Sequence, residues 1–352
     1  MGSMSWALYL GWMLAGCMIA GRWGESADYT CNECGFSPAT RGVDRIRFRS
    51  VPMKIKALLI AFCLMFAGFA AAAEKAAPVA KPVIVVEGVQ MPAWVEHASG
   101  ARDPLVIGAR LVNSDRIYTG PGSRALLRLA DGSQVKLGEN GILALEDLGN
   151  KKIQMKDVVT ASLDVVKGAF RFTTQALTKF RGERDVKVRI VTITAGIRGT
   201  DLWGKADDTR DVVCLIEGKV TVVREAEAFT MDEPMSFYIA PKNKPGQPVA
   251  KVSQKQLEEW AAETEIAAGK GAVRKGGKWR VYLAEAPTQD EALKVYDDLR
   301  NAGYAAEIRP MKNEETQVFR VRISNLMSKK EAETLGAALK GKFGITETRV
   351  SR

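Results

Sequence analysis

Two short segments near the C-terminus alternate apolar and polar side chains, and their polar members could bind an oxygen-rich ligand. The segments are Trp279–Leu283 and Phe319–Ile323. Because successive side chains of a strand point to opposite faces, one set is predicted to pack into a core and the other to lie on an open sheet face. The open-face set is Arg280, Tyr282, Arg320 and Arg322. Guanidinium groups donate to hydroxyl, carbonyl and carboxylate oxygens, and a tyrosine ring can stack on a sugar. A purely solubilising role for the arginines stays open.

Residue types that support catalysis are sparse in the chain. His97 is the single histidine and lies in a predicted loop, with no serine or cysteine motif beside it. The acid pairs Asp207-Asp208 and Asp297-Asp298 fall in a predicted turn and on a predicted solvated helix face, where adjacent carboxylates are more often surface groups than a catalytic dyad. We therefore predict a binding protein that is not an enzyme and uses no cofactor or metal.

The elements that must position the four open-face residues follow the order β-α-β-β-α-β. The first predicted helix begins with Thr288 as N-cap and stops at Gly303. The second begins at Ser328, with Glu331 three residues on in the spacing of a capping box. The predicted elements are Lys278–Leu283, Thr288–Ala302, Ala305–Pro310, Gln317–Ile323, Ser328–Phe343 and Thr346–Val350.

Several pieces of this C-terminal module together resemble a SPOR domain. They are Trp279–Leu283, Glu291-Ala292, Leu299–Tyr304, Phe319–Ile323 and Lys330–Glu333. The sequence departs from the family's pattern at Tyr282, Ala284 and Ser324-Asn325. The resemblance implies that residues 278–352 bind septal peptidoglycan glycan strands stripped of their stem peptides. The open-face residues Arg280, Tyr282, Arg320 and Arg322 are then the candidate glycan-binding site.

The preceding residues, 83–236, show short apolar runs separated by turn signals, which is typical of an all-β sandwich or barrel. The clearest hairpin signal is Asp131-Gly132 between two alternating segments. Val186–Thr194 alternates apolar and polar residues and is interpreted as one strand. Val212–Ile216 and Lys219–Val223 flank Glu217-Gly218 and are interpreted as two strands. Arg198-Gly199-Thr200 is interpreted as a tight turn at a strand end, with a binding role as the alternative.

This all-β region is similar to a FecR-type domain. The pieces that match, in the family's order, are Ser114–Gly120, Ser123–Ala125 with Ala130–Ser133, Gly168–Phe172, Ala195–Thr200 and Glu217–Val220. Classical FecR proteins have a cytoplasmic anti-sigma segment and a transmembrane helix before this domain, and residues 1–52 show no recognisable anti-sigma segment. The resemblance therefore implies the extracytoplasmic module, with a protein or polymer as its partner.

The N-terminal part of the chain contains an export signal. Residues 53–73 begin with a lysine-containing segment, continue with an apolar run shorter than a membrane span, and end with Ala71 and Ala73 before Glu74. Residues 1–52 are interpreted as an extension from a misassigned start codon. The lipobox-like Leu14–Cys17 and the lone Cys31-x-x-Cys34 are weak signals of lipidation and of a metal site.

Removal of the leader changes both the cysteine content and the charge. Only Cys214 remains, so no intramolecular disulfide can form. The seven basic and four acidic residues before Glu74 lower the net charge from +10 to +7. Outside the cytoplasm this mild excess would meet cell-wall or membrane polyanions. An RNA-binding module of the same topology would need aromatic side chains where Arg320 and Arg322 stand. We predict no nucleic-acid partner.

These observations predict a layout and two functions. The layout is an extension at 1–52, a signal peptide at 53–73, a linker at 74–82, a FecR-like domain at 83–236, a linker with a short helix at 237–277 and a SPOR-like domain at 278–352. The first function is a non-enzymatic periplasmic or cell-envelope protein that binds peptidoglycan, in keeping with cell division. The alternative is a FecR-type regulator anchored in the membrane by an uncleaved 53–73 segment.

The first testable prediction concerns processing. Because small residues occupy the −3 and −1 positions before Glu74, protein isolated from envelope fractions should begin at Glu74 when its N-terminus is sequenced. A mature chain that begins at Gly2 or Cys17 would contradict the assignment of Met53 as the initiator.

Overall fold

The fold was analysed in a computed structural model that describes residues 84–153, 156–174, 182–312 and 317–352. The predicted extension, signal peptide, linker at 74–82, lipobox and Cys-x-x-Cys motif lie outside these residues. Within them, every helix is too short or too polar to cross a bilayer.

The N-terminal part of the described chain is entirely β up to residue 251. Its strands are β1 Ile84–Gln90, β2 Ala93–Glu96, β3 Arg102–Pro104, β4 Arg110–Leu111, β5 Arg116–Thr119, β6 Arg124–Leu129, β7 Gln134–Leu137, β8 Ile142–Ile153, β9 Lys156–Thr173, β10 Glu183–Ile190, β11 Ile193–Ala206, β12 Arg210–Arg224, β13 Glu227–Met231, β14 Ser236–Pro241 and β15 Ala250–Lys251. The hairpin predicted at Asp131-Gly132 is confirmed, because β6 pairs antiparallel with β7 and Gly132 has a φ of 87°.

Three long strands join the sheet into a closed, barrel-like layer around one core. The C-terminal half of β9 pairs with β7 and β11, whereas its N-terminal half pairs with β8 and, in parallel, with β10. Strands β11 and β12 likewise pair along their whole lengths but have different outer neighbours at each end. Each long strand therefore contributes to both sides of the barrel, and the predicted all-β fold class is confirmed.

The alternating run Val186–Thr194 is a hairpin, not the single strand predicted. Ile190 pairs with Ile193, so the chain reverses at Val191, whose φ is 39°. The turn lacks the glycine or asparagine that usually marks such a reversal. The buried carboxylate of Asp211 stabilises it by accepting hydrogen bonds from the Thr192 backbone N–H (3.1 Å) and hydroxyl (2.6 Å).

The prediction of two strands around Glu217-Gly218 is also wrong. Residues Arg210–Arg224 form one strand, and Gly218 lies in it with a φ of 92° beside a register shift opposite Gly199. A Cβ on Gly218 would lie 2.3 Å from the Gly199 carbonyl oxygen, so the position excludes larger residues. Arg198-Gly199-Thr200 is therefore part of a bulge within β11 and not a turn at its end, and bulges increase the local bend and twist of a strand.

The C-terminal part has the predicted α+β order. Its elements are α1 Gln254–Ala262, β16 Val273–Arg274, β17 Trp279–Ala286, α2 Gln289–Asn301, β18 Glu307–Lys312, β19 Gln317–Leu326, α3 Lys329–Leu339 and β20 Arg349–Ser351. The antiparallel sheet order is β18-β19-β17-β20, with α2 and α3 both packed against it. Val281, Leu283, Val321 and Ile323 are fully buried between the sheet and the helices.

The segment 237–277, treated above as a linker, makes ordered contacts with both domains. Trp260 of α1 stacks on the buried Trp203 of β11, with ring centroids 4.7 Å apart. Farther on, Val273 of β16 pairs with Val89 of β1 on one side and with Leu326 of β19 on the other. This short strand therefore continues the sheet from the all-β domain into the C-terminal domain.

One buried carboxylate stabilises this junction. The side chain of Glu331, in the first turn of α3, accepts hydrogen bonds from the backbone N–H groups of Gly269 (2.5 Å), Gly271 and Ala272 (3.0 Å). The first half of the predicted capping box is confirmed, because Ser328 Oγ accepts from the Glu331 N–H at 3.2 Å. The Glu331 carboxylate itself binds residues 269–272, which lie about 60 positions earlier in the chain. The local sequence pattern around Ser328 does not reveal this partner.

A second contact joins the first domain to the end of α2. The Trp94 ring packs on Gly303, where a Cβ would lie 2.5 Å from a ring carbon. Trp94 Nε1 donates to the Asn301 carbonyl at 3.2 Å, and the Ala93 N–H donates to the Gly303 carbonyl at 3.1 Å. Arg300 forms an ion pair with Asp103 beside this contact. Gly303 thus both ends the helix and accommodates the tryptophan.

The junction generates a stability prediction. Glu331→Gln should lower the free energy of unfolding by about 2–3 kcal/mol, because it replaces charge-assisted bonds to buried backbone N–H groups with neutral ones and places an amide group among donors. The measurement is urea denaturation. The matched control is Glu333→Gln in the same helix, where loss of an exposed pair with Lys329 should change stability by under about 0.5 kcal/mol. Equal effects of the two substitutions would contradict this role of Glu331.

Candidate functional site

The four predicted site residues lie together on the open face of the C-terminal sheet. Arg280 and Tyr282 on β17 alternate with the buried Val281 and Leu283, and Arg320 and Arg322 on β19 alternate in the same way with Val321 and Ile323. Tyr282 is directly opposite Arg322 in the register of the two strands. Strand alternation therefore brings these side chains together, as the sequence predicts.

Tyr282 is the central contact of this group. The Arg320 guanidinium lies 5.7 Å from its ring centroid, and Arg322 is its partner in the strand register. The Ser351 side chain is the largest cause of a lowered Tyr282 pKa, with further contributions from Arg322 and Arg280, which outweigh the effect of partial burial. The phenol therefore lies in a cationic environment that also suits an electron-rich ligand.

Two carboxylates orient the central arginines. Arg320 Nε donates to Glu285 at 2.6 Å, and Arg322 Nε donates to Glu307 at 2.8 Å. Glu307 also accepts from the Ser324 hydroxyl at 2.5 Å. A guanidinium has five N–H donors, so each arginine keeps terminal N–H groups for a ligand while its Nε is bound.

Sequence reasoning missed these carboxylates. A register shift between Tyr282 and Ala284 places Leu283 in a bulge, and beyond it Glu285 is opposite Arg320 on the open face. Strict alternation from Arg280 would instead place Ala284 on that face. Glu307 reaches Arg322 from β18, because the two residues are paired in the strand register. Only the pairing of the strands reveals either contact.

The open face contains a small polar pocket of about 300 Å³ at the start of β17. It is lined by Gly277, Lys278, Trp279, Arg280, Glu307, Arg309, Arg322, Ser324 and Asn325. The lining combines an aromatic ring, several cationic donors and one oriented carboxylate. Such a set can hydrogen-bond hydroxyl and carbonyl oxygens while the ring contacts a flat apolar surface.

The single histidine and Cys214 both lie in the FecR-like part of the chain. His97 Nδ1 lies 2.8 Å from the buried Asp115, which also accepts the Val112 N–H, and His97 Nε2 lies 3.8 Å from Asp103. Cys214 is fully buried, and this burial raises the pKa of its thiol to about 12. Within residues 84–153, 156–174, 182–312 and 317–352, no three His, Cys, Asp or Glu side chains are placed to hold a metal ion.

Family comparisons identify both parts of the chain. The model of the FecR protein family matches residues 115–221, and the SPOR domain model matches residues 275–350. The chain therefore has a FecR domain followed by a C-terminal SPOR domain. SPOR domains bind peptidoglycan, FecR-like domains occur in anti-sigma regulators, and both families are binding or regulatory domains of the cell envelope.

Solved structures give a more distant likeness. Two crystal structures of a candidate anti-sigma factor from Parabacteroides distasonis ATCC 8503 match at 15% identity, with a TM-score of 0.32 in each case. They cover 58% and 60% of this chain and 97% and 99% of their own chains. No curated protein matches the chain in sequence.

The contacts of Glu307 predict a pH dependence. Partial burial would raise its pKa, but the hydrogen bond from Ser324 and the pairing with Arg322 outweigh that effect and lower it. A carboxyl whose pKa is lower in the folded state contributes stability above its unfolded pKa of about 4.3, and this contribution is lost as pH falls through the folded value. Glu307→Gln should therefore lose less stability than wild type between about pH 5 and pH 3.

Urea denaturation at a series of pH values measures this difference. Because the pair is partly exposed, the effect at neutral pH should be under about 1 kcal/mol. Arg322→Gln is the matched variant that removes the cation, and it should reduce the same acid dependence. If the unfolding free energies of wild type and Glu307→Gln depend on pH identically, then Ser324 and Arg322 do not lower the pKa of Glu307.

Proposed function

We propose that the open face of the SPOR domain binds glycan strands of peptidoglycan that lack stem peptides. The observation that supports this proposal is the convergence of Arg280, Tyr282, Arg320 and Arg322 on one face, with the arginines oriented through their Nε atoms. Their terminal N–H groups can then donate to the hydroxyl and amide oxygens of sugars. Tyr282 offers a ring edge and a hydroxyl beside them.

We propose that the FecR domain contacts another envelope protein or polymer and does not catalyse a reaction. Its core is filled by apolar side chains from strands on all sides, and its buried acids Asp115 and Asp211 accept backbone hydrogen bonds from Val112 and Thr192. Export by the 53–73 signal would place the protein in the periplasm. The glycan partner is then in the same compartment.

Sacculus binding tests the proposed site. Arg320→Ala with Arg322→Ala should sharply reduce the fraction of protein that sediments with purified sacculi, because the ligand loses charge-assisted donors that each contribute on the order of 1.5–3 kcal/mol when desolvated, and less when wet. The fold should persist, since both side chains lie on an open face. Circular dichroism and thermal unfolding check this point.

The matched control removes two charges from the opposite side of the same domain. Lys294→Ala with Lys329→Ala alters exposed lysines on α2 and α3 and should leave sedimentation unchanged. Val321→Asp is a control for loss of the fold, because a buried unpaired charge should unfold the domain. A folded double arginine variant that sediments as well as wild type would contradict the open-face site.

The second candidate function is a membrane-anchored regulator of the FecR type. It is favoured by the occurrence of FecR-like domains in anti-sigma regulators. The two candidates differ in the fate of residues 53–73, because only the regulator keeps them as an anchor. N-terminal sequencing of the protein, together with its extraction by salt or only by detergent, distinguishes them.

A further inference from the structure

Half of strand β17 has a free outer edge. Strand β20 is three residues long and pairs only with Arg280, Val281 and Tyr282. In the continuation of β17, Leu283–Ala286, the last three residues pair with β19 on the inner edge and Leu283 lies in the bulge. None of the four has a strand partner on the outer edge within the described residues. An edge of this kind presents backbone N–H and C=O groups at the spacing of another polypeptide strand.

The free edge faces a groove of about 660 Å³, more than twice the volume of the polar pocket at the start of β17. Its apolar lining includes Leu283 and Ala286 of β17 and Val295 of α2, and its outer wall is the segment from Gly344 to Thr348. Four free residues correspond to roughly 13 Å of strand. The free edge is thus long enough to pair with a short extended peptide.

The carboxylates that line the groove outnumber the arginines that could pair with them. Glu285 is bound by Arg320, as described above. Glu291 of α2 and Glu347 in the outer wall also line the groove, and neither has a basic side chain within 4.0 Å among the residues that the structure describes. Arg349 lies at the end near β20. Two carboxylates therefore remain available against one arginine, so lysine or arginine side chains on a ligand would find partners.

We propose that this groove binds an extended basic segment of another protein, which pairs with Leu283–Ala286 as an added strand. The backbone of the segment satisfies the free edge, one set of its alternating side chains packs toward Val295, and flanking basic residues meet Glu291 and Glu347. The amide groups of a glycan are side groups of its rings, whereas a strand edge pairs with the alternating N–H and C=O groups of a continuous peptide backbone. The peptide site is therefore distinct from the open face, although Tyr282 and Arg320 border both.

Synthetic peptides of alternating lysine and valine test the chemistry of the groove. A six-residue Lys-Val peptide should bind the protein in calorimetry, and a Glu-Val peptide of equal length should bind at least about tenfold more weakly because of charge repulsion. Amide shifts in NMR spectra should change for Leu283–Ala286 and for the segment 344–348. Equal binding of both peptides would overturn the proposal.

Methylation of the peptide backbone tests strand addition itself. In one peptide the lysine amides are N-methylated, and in a second the valine amides are. Because an added strand pairs through one edge only, one of these peptides should bind at least about tenfold more weakly and the other nearly as well as the parent. If neither methylation pattern weakens binding, the peptide does not bind as a strand and the proposal fails.

Charge reversal locates the site on the protein. Glu291→Lys with Glu347→Lys should weaken Lys-Val binding at least about tenfold and improve Glu-Val binding. The matched control, Asp298→Lys with Glu333→Lys, reverses two exposed acids on α2 and α3 outside the groove and should leave the affinity unchanged. If the groove variant does not fold, Val295→Arg tests the apolar lining instead and should abolish binding. Unchanged affinity in a folded groove variant would refute the site.

Two further readouts separate this proposal from other outcomes. Sacculus sedimentation by Glu291→Lys with Glu347→Lys should match wild type, so loss of peptide binding and loss of glycan binding are independent results. Light scattering over a range of protein concentrations tests whether a second copy of the chain adds to the free edge. A dimer that dissociates when the Lys-Val peptide is added would replace a separate protein partner with self-association and overturn the proposal in its present form.

Discussion

The arrangement of the C-terminal domain on the FecR domain depends on one buried carboxylate. Glu331 binds three backbone N–H groups of the segment that leads into β16. This segment has few side chains of its own to stabilise it, because two of its residues are Gly269 and Gly271, which both have positive φ values. With its N–H groups satisfied, β16 can pair with β1 and β19 together, and the sheet continues from one domain to the other. The contact of Trp94 with Gly303 then fixes the end of α2.

Carboxylates also accept hydrogen bonds from donors on the open face of the SPOR domain and thereby orient them. Arg320 and Arg322 could adopt many rotamers on an exposed sheet, and ordering them on binding would cost entropy. Glu285 and Glu307 already hold their Nε atoms, so much of that ordering is present before a ligand arrives. The carboxylates also reduce the net positive charge.

Local sequence patterns predicted the parts of the fold that depend on neighbouring residues. The alternation of Val281 and Val321 with arginines predicted the open face, and Thr288 and Ser328 predicted the starts of α2 and α3. The Asp131-Gly132 hairpin was predicted for the same reason: caps, turns and strand faces depend on residues within a few positions of one another. The two domain families were predicted differently, from the resemblance of several motifs in their order along the chain. Together these patterns determine the order of elements and which side chains face the core.

The tertiary structure alone decided where distant residues meet. The reversal at Val191 depends on Asp211, which is twenty residues farther along the chain and buried beneath the turn. The register shift between β11 and β12 lies where Gly218 closely approaches Gly199. Glu331 binds a segment that no capping pattern could indicate. Glu285 reaches the open face only because a bulge shifts the strand phase. Each of these outcomes depends on the pairing of separate strands or helices, so the periodicity of a single segment could not contain it.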